Sequence, residues 1–152
     1  GKAIWYQKHM THHLLPGMDR GWVAGLRNCF LIREPREVLI SLAKVMPPGS
    51  IGVLDTGIPQ QVELFRAERE RLGGVPPVVD AKDVLVHPRR ALTALCEAAG
   101  VEFDEAMLVW ERGPRATDGV WGKHWYAAVE ASSGFGMYRE RRGTVAGRRG
   151  GG

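Results

Sequence analysis

Arg33 and Ser41 stand eight residues apart in "FLIREPREVLISL". The arginine closes an apolar run, and the serine lies about two turns into a segment that opens on Pro35. A guanidinium is a planar fork that matches phosphate oxygens, and a hydroxyl adds one more donor. Between them lies a predicted helix N-terminus, whose free N–H groups and positive dipole end favour an anion. Together these features describe a pocket for a phosphate monoester. Glu34 and Glu37 fall on the same helical face as Ser41 and support the opposite reading. In that reading the arginine is paired with a neighbouring carboxylate and the serine is simply a small exposed residue. A second set of reactive side chains lies in "QKHMTHHLLP", namely Lys8, His9, His12 and His13. Imidazoles titrate near neutrality and can exchange protons there. His9 and His13 are four apart and would share a helical face, the spacing of a metal pair, but no third ligand follows at a suitable distance. They fit ordinary loop histidines as well.

The elements that must position these groups follow from local patterns. "AIWYQK" reads as a short strand. "MTHHLLPGMDRGWVAGL" is broken by Pro16, Gly17, Gly21 and Gly25 and reads as a loop. "NCFLIR" is a continuous apolar run, as in a strand buried on both faces. "EPREVLISLAKVM" follows as a helix, with Val38, Leu42 and Val45 as its buried stripe and proline tolerated in its first turn. "IPQQVELFRAERERLGG" is a second helix with Val62, Phe65 and Leu72 on its apolar side. "PPVVDA" reads as another buried strand. "HPRRALTALCEAAG" is a third helix, burying Leu92, Leu95, Cys96 and Ala99 and stopping at Gly100. "FDEAMLVW" reads as a short helix capped by Asp104. "DGVWGKHWYAAVEASSGFG" is a loop entering a final helix. Alternating strands and helices imply an α/β domain with a mainly parallel sheet flanked by helices. In such sheets ligands bind beyond the carboxyl ends of the strands, where Arg33 sits.

Of the 152 residues, 44% are apolar, enough for one domain with a core. Residues 1–138 carry 16 basic and 16 acidic side chains, so the net charge of +4 comes from the tail "RERRGTVAGRRGGG". Residues 139–152 are Arg- and Gly-rich with little to bury, which predicts disorder and at most weak contact with RNA. The balanced remainder does not attract a polyanion, so nucleic acid is not the expected partner of the folded part. Cys29 and Cys96 lie in apolar segments without metal-site spacing and read as buried thiols of a reducing cytoplasm. No apolar run approaches the roughly 20 residues that span a bilayer.

"RxPxxVLxSL", carried by Arg33, Pro35, Val38, Leu39, Ser41 and Leu42, resembles the 3′-phosphate motif of the PAPS-dependent sulfotransferases. "VVDAKDVLVHPRRALTALCEAAGVEF" is similar to the family's acidic stretch before a proline-started helix. "DGVWGKHW" resembles its late Gly-Trp-Lys loop. The three come in the family's order, and the likeness is greatest to bacterial sulfotransferase-like proteins, some of them with aminotransferase-like names. The resemblance implies a P-loop-NTPase-like fold and transfer of a sulfuryl group from 3′-phosphoadenosine 5′-phosphosulfate (PAPS) to a small-molecule hydroxyl or amine. It implies that Arg33 and Ser41 hold the 3′-phosphate, with Arg115 and Lys123 (and more weakly Arg112) reaching it from the late loop. It implies that Lys8 stabilises the leaving phosphate and that His12 or His13 takes the acceptor proton. His12 is preferred, although the family's Lys-Thr-His spacing is not reproduced. Trp110, Trp121 and Trp125 could stack on adenine or simply fill a core.

The family also needs a Gly/Ser/Thr-rich loop around the 5′-phosphosulfate, ahead of everything seen here. "PPGSIG" has some of that composition but follows the arginine motif. The expectation is a partial sulfotransferase-like domain over 1–138, a fragment lacking its first βα unit. Two further readings stand beside it. One is a non-catalytic binding or interaction module on the same scaffold with an RNA-touching basic tail. The other, ranked last for want of a Walker lysine, is a relative of the P-loop nucleoside kinases.

Overall fold

A computed structural model describes residues 4–15, 17–115 and 127–140. Lys123, Trp121, Trp125 and all of the tail after Glu140 lie outside them. The chain divides into two compact units, the first running to Pro76 (with Glu140) and the second from Pro77 to Arg139. Strands Phe30–Ile32 (β1) and Val78–Asp80 (β2) make up a two-stranded sheet. Each strand is followed directly by helix, which fits the expected α/β class.

In the first unit, β1 leads into helix Pro35–Leu42 (α1). Pro35 suits a first turn because the N–H it lacks has no partner there. Glu34 caps the helix: its carboxylate accepts from the Glu37 N–H at 2.8 Å. Helix Ile58–Leu72 (α2) begins at Gly57 and ends at Gly73. Leu14, Phe30, Ile40 and Pro76 are buried apolar side chains of this unit. The Phe65 ring meets Phe30 edge-on at 5.6 Å, joining α2 to β1. The Gln61 amide also donates to the Leu31 carbonyl at 2.9 Å.

The second unit carries β2, then helix Ala81–Val86 (α3) and helix Pro88–Ala99 (α4). Asp80 caps α3 by accepting from the Lys82 N–H at 2.8 Å. Gly100 closes α4 at φ 67°, with the Val101 N–H reaching back to the Cys96 carbonyl at 2.9 Å. That pairing satisfies carbonyls the helix would otherwise leave open, and the left-handed turn favours glycine. The predicted stripe of α4 holds, with Cys96 buried and Leu92, Leu95 and Ala99 half-buried. Trp110 donates to the Ser132 hydroxyl at 3.1 Å and meets Phe135 edge-on at 5.4 Å, as a packing residue does.

Several expectations are corrected. Residues 4–10 form no strand, and Ile4, Trp5 and Tyr6 are exposed. A strand exists only by pairing, and the sheet among the described residues consists of β1 and β2 alone. Those strands are not buried on both faces: Leu31, Ile32 and Val78 are exposed and only Phe30 is sealed. Helix α1 ends at Leu42 rather than Met46, and it buries Glu37 and Ile40 while Val45 is exposed. Helix α2 likewise buries Gln60 and Glu68 and exposes Val62 and Leu72. "FDEAMLVW" shrinks to a 3₁₀ turn, Glu105–Met107, still capped by Asp104. Cys96 is buried but Cys29 is exposed.

Candidate functional site

Arg33 follows the last residue of β1, so the strand delivers it to the start of α1. Its Nε donates to Glu37 Oε2 at 2.9 Å. That bond leaves the two Nη groups on the far edge of the fork. The Arg33 side chain keeps 31% of its exposure, against 7% for Glu37. Ser41 stands one turn beyond Glu37 and is half-buried. Residues at this i, i+4 spacing have Cβ atoms about 5–6 Å apart. Arg33 and Glu37 thus meet at the start of α1, and Ser41 lies one turn beyond Glu37, in the last turn of the helix.

The helix end is less open to an anion than the sequence suggests. Pro35 has no N–H, and the Glu37 N–H already has the Glu34 carboxylate on it. An anion at this place therefore depends on side-chain donors more than on the amides of α1.

A second group forms around the 3₁₀ turn Thr11–His13. The Thr11 hydroxyl donates to the Gly57 carbonyl at 2.9 Å. Gly57 has φ 69°, and a Cβ there would lie 2.5 Å from Thr11 Oγ1 and 2.9 Å from the His12 nitrogen. Only glycine allows α2 to start this close to the histidine turn. His12 is half-buried, and its ring meets the exposed His13 edge-on at 4.2 Å. Desolvation, helped by the His13 charge and opposed by Asp55, holds the His12 pKa below its usual value. His12 is thus kept neutral at neutral pH, in the form that accepts a proton. His9 does not pair with His13; it bonds Gln7 at 2.9 Å and lies against Trp22. Among the described residues no group of three His, Cys, Asp or Glu side chains could hold a metal ion.

The 3₁₀ turn Val53–Thr56 touches both the Thr11–His13 turn and α1, so His12 and the Arg33 face share a neighbour within the first unit. A groove of about 370 Å³ lies elsewhere in this unit, between the 17–20 segment, Leu54 and the start of α2, walled by Met18, Arg20, Leu54, Pro59, Gln60 and Glu63, and neither His12 nor Arg33 lines it. Arg20 is engaged there by Glu63 at 3.1 Å and by the Leu14 carbonyl at 3.0 Å. The Gln60 amide donates to the Leu54 carbonyl at 3.1 Å, and its Oε1 is buried without a partner among the described residues. Lys8 is exposed on the segment before the histidine turn. Arg112 and Arg115 are exposed in the second unit.

Sequence reasoning missed Thr11, Gly57 and Gln60. "DTGIP" carried a signal for Gly57, since a glycine just before a proline-started helix marks a special turn. Nothing local marked its contact with Thr11.

A family model described as the sulfotransferase domain matches residues 1–146. Branched-chain-amino-acid aminotransferase-like protein 1 of Arabidopsis thaliana is 33% identical over 134 residues, 88% of this chain and 23% of that protein. Branched-chain-amino-acid aminotransferase-like protein 2 of the same plant is 29% identical over the same shares. The chain spans under a quarter of the length of these curated relatives. No solved structure matches it. With nearly its whole length inside the matched region, the chain belongs to the sulfotransferase domain family.

Proposed function

We propose that this domain holds the 3′-phosphate of PAPS with Arg33 and Ser41 and uses His12 as the base for transfer to a hydroxyl or amine. The observation that carries the reading is the placement of Arg33 at the end of a strand, with Ser41 one turn past its partner Glu37, inside a sulfotransferase domain. The fork has room for the group: only its Nε edge is taken by Glu37, and the side chain is partly exposed. Arg115 and Lys123 are proposed as further 3′-phosphate contacts, and Lys8 as the cation near the leaving phosphate.

PAPS supplies an activated sulfuryl group, and its bisphosphate leaves with the electron pair of the broken sulfur–oxygen bond. The acceptor's oxygen or nitrogen forms the new bond to sulfur, and its proton goes to the neutral His12 ring, with His13 the alternative. Positioning and fixed positive charge do most of the work in such transfers. Among the described residues no helix is long and apolar enough to cross a membrane. A cytoplasmic setting remains our proposal.

The Arg33–Glu37 pair also favours a second reading, a binding module in which this arginine only anchors the helix. Calorimetry of the full-length protein with adenosine 3′,5′-bisphosphate separates the two. Arg33→Ala should weaken binding about 10- to 100-fold, the size of a charge-assisted phosphate bond. Affinity unchanged by that substitution would refute the nucleotide reading.

A further inference from the structure

Glu37 is an acidic residue on the buried face of α1, 5% exposed. A sealed carboxylate is costly unless it is paired. It meets Arg33 across the start of the helix, where the Arg33 Nε donates to its Oε2 at 2.9 Å. Because a guanidinium is planar, fixing its Nε edge fixes the plane and the direction of both Nη groups. The carboxylate itself is held on a helix. Arg33 is therefore clamped by a rigid element rather than left to sweep through solvent.

We infer that Glu37 is a positioning residue, which turns the Nη edge of Arg33 toward the oxyanion that Ser41 also reaches. This rests on the nucleotide reading proposed above. The opposing account is that Glu37 competes for Arg33 and repels a phosphate. The two differ in sign: removing the negative charge weakens nucleotide binding if Glu37 positions the fork, and tightens it if Glu37 competes.

The test uses calorimetry on the full-length protein with two probes, adenosine 3′,5′-bisphosphate and adenosine 5′-phosphate. Glu37→Gln keeps the side chain's length but exchanges a charged acceptor for a neutral one, which should weaken bisphosphate affinity about fivefold. Affinity for the 5′-phosphate, which lacks the 3′ group, should not move. In an Arg33→Lys background, which has no Nε edge, Glu37→Gln should have no effect on the bisphosphate. Where Glu37→Gln folds poorly, the longer-range comparison of Arg33→Lys with and without Glu37→Asp serves in its place, with the same expectation of no further loss. Tighter or unchanged bisphosphate binding by Glu37→Gln, while Arg33→Ala weakens it, overturns the inference and leaves the nucleotide reading standing. Equal losses for both probes would mark Glu37 as merely structural and overturn it too. If Arg33→Ala has no effect, the nucleotide reading fails and the inference falls with it.

Discussion

Gly57→Ala tests how closely the histidine turn is joined to α2. At φ 69° an L residue is strained by about 1–2 kcal/mol. The new methyl would sit 2.5 Å from Thr11 Oγ1 and 2.9 Å from the His12 nitrogen, so the turn must shift. The Thr11–Gly57 bond is then lost, about 1 kcal/mol. Reduced freedom of the unfolded chain returns about 0.4–1 kcal/mol. With crowding included, the net loss is about 2–4 kcal/mol, read as a fall in the urea midpoint at constant slope. Gly73→Ala is the internal control: its φ is 62°, but nothing lies within 4 Å of the added carbon. It carries the strain without the contact and should cost about 1 kcal/mol. The difference between the two variants isolates the meeting of α2 with Thr11–His13. The same Gly57 variant should let the His12 pKa rise toward its ordinary value in an NMR titration, because the ring loses its shelter. Equal losses in the two variants, with an unmoved His12 titration, would refute the proposed packing.

Two further outcomes follow. The His12 pKa lies below its ordinary value, so the unfolded chain takes up that proton first as pH falls. The contribution to stability is complete above about pH 6.5 and shrinks below it, and His12→Gln should flatten this acid-side slope in urea midpoints. Glu34→Ala removes the cap of α1 and should cost about 1 kcal/mol in thermal unfolding. It also frees the Glu37 N–H and deletes a negative charge, so adenosine 3′,5′-bisphosphate should bind more tightly; weaker binding would contradict this account of the helix end.

What the sequence disclosed was what is local. The apolar run before Arg33 and the proline after it marked the strand-to-helix turn. Leu92, Leu95, Cys96 and Ala99 marked the face of α4, and Gly100 its stop, because the helical period and the left-handed turn are properties of neighbouring residues. The faces of α1 and α2 were misread because polar residues lie inside them. Glu37 is paired with Arg33, Gln60 is held by the Leu54 carbonyl, and Glu68 by two bonds to Arg71. Polar burial depends on a partner, and an apolar period cannot register it. "AIWYQK" has strand-like composition, but pairing decides whether such a segment becomes a strand. At the site, the position of Arg33 and both of its candidate uses were legible. The Gly57–Thr11 contact spans 46 residues and was not.

The uncovered stretch at Ile4, Trp5 and Tyr6 has a practical consequence. Three adjacent large apolar side chains, exposed by 71%, 82% and 81%, form an apolar patch. An exposed apolar patch favours self-association as protein concentration climbs, which would mix with any titration run on concentrated stock. Dilute samples, with the solvated Trp5 indole as a fluorescent gauge of clumping, keep the two apart.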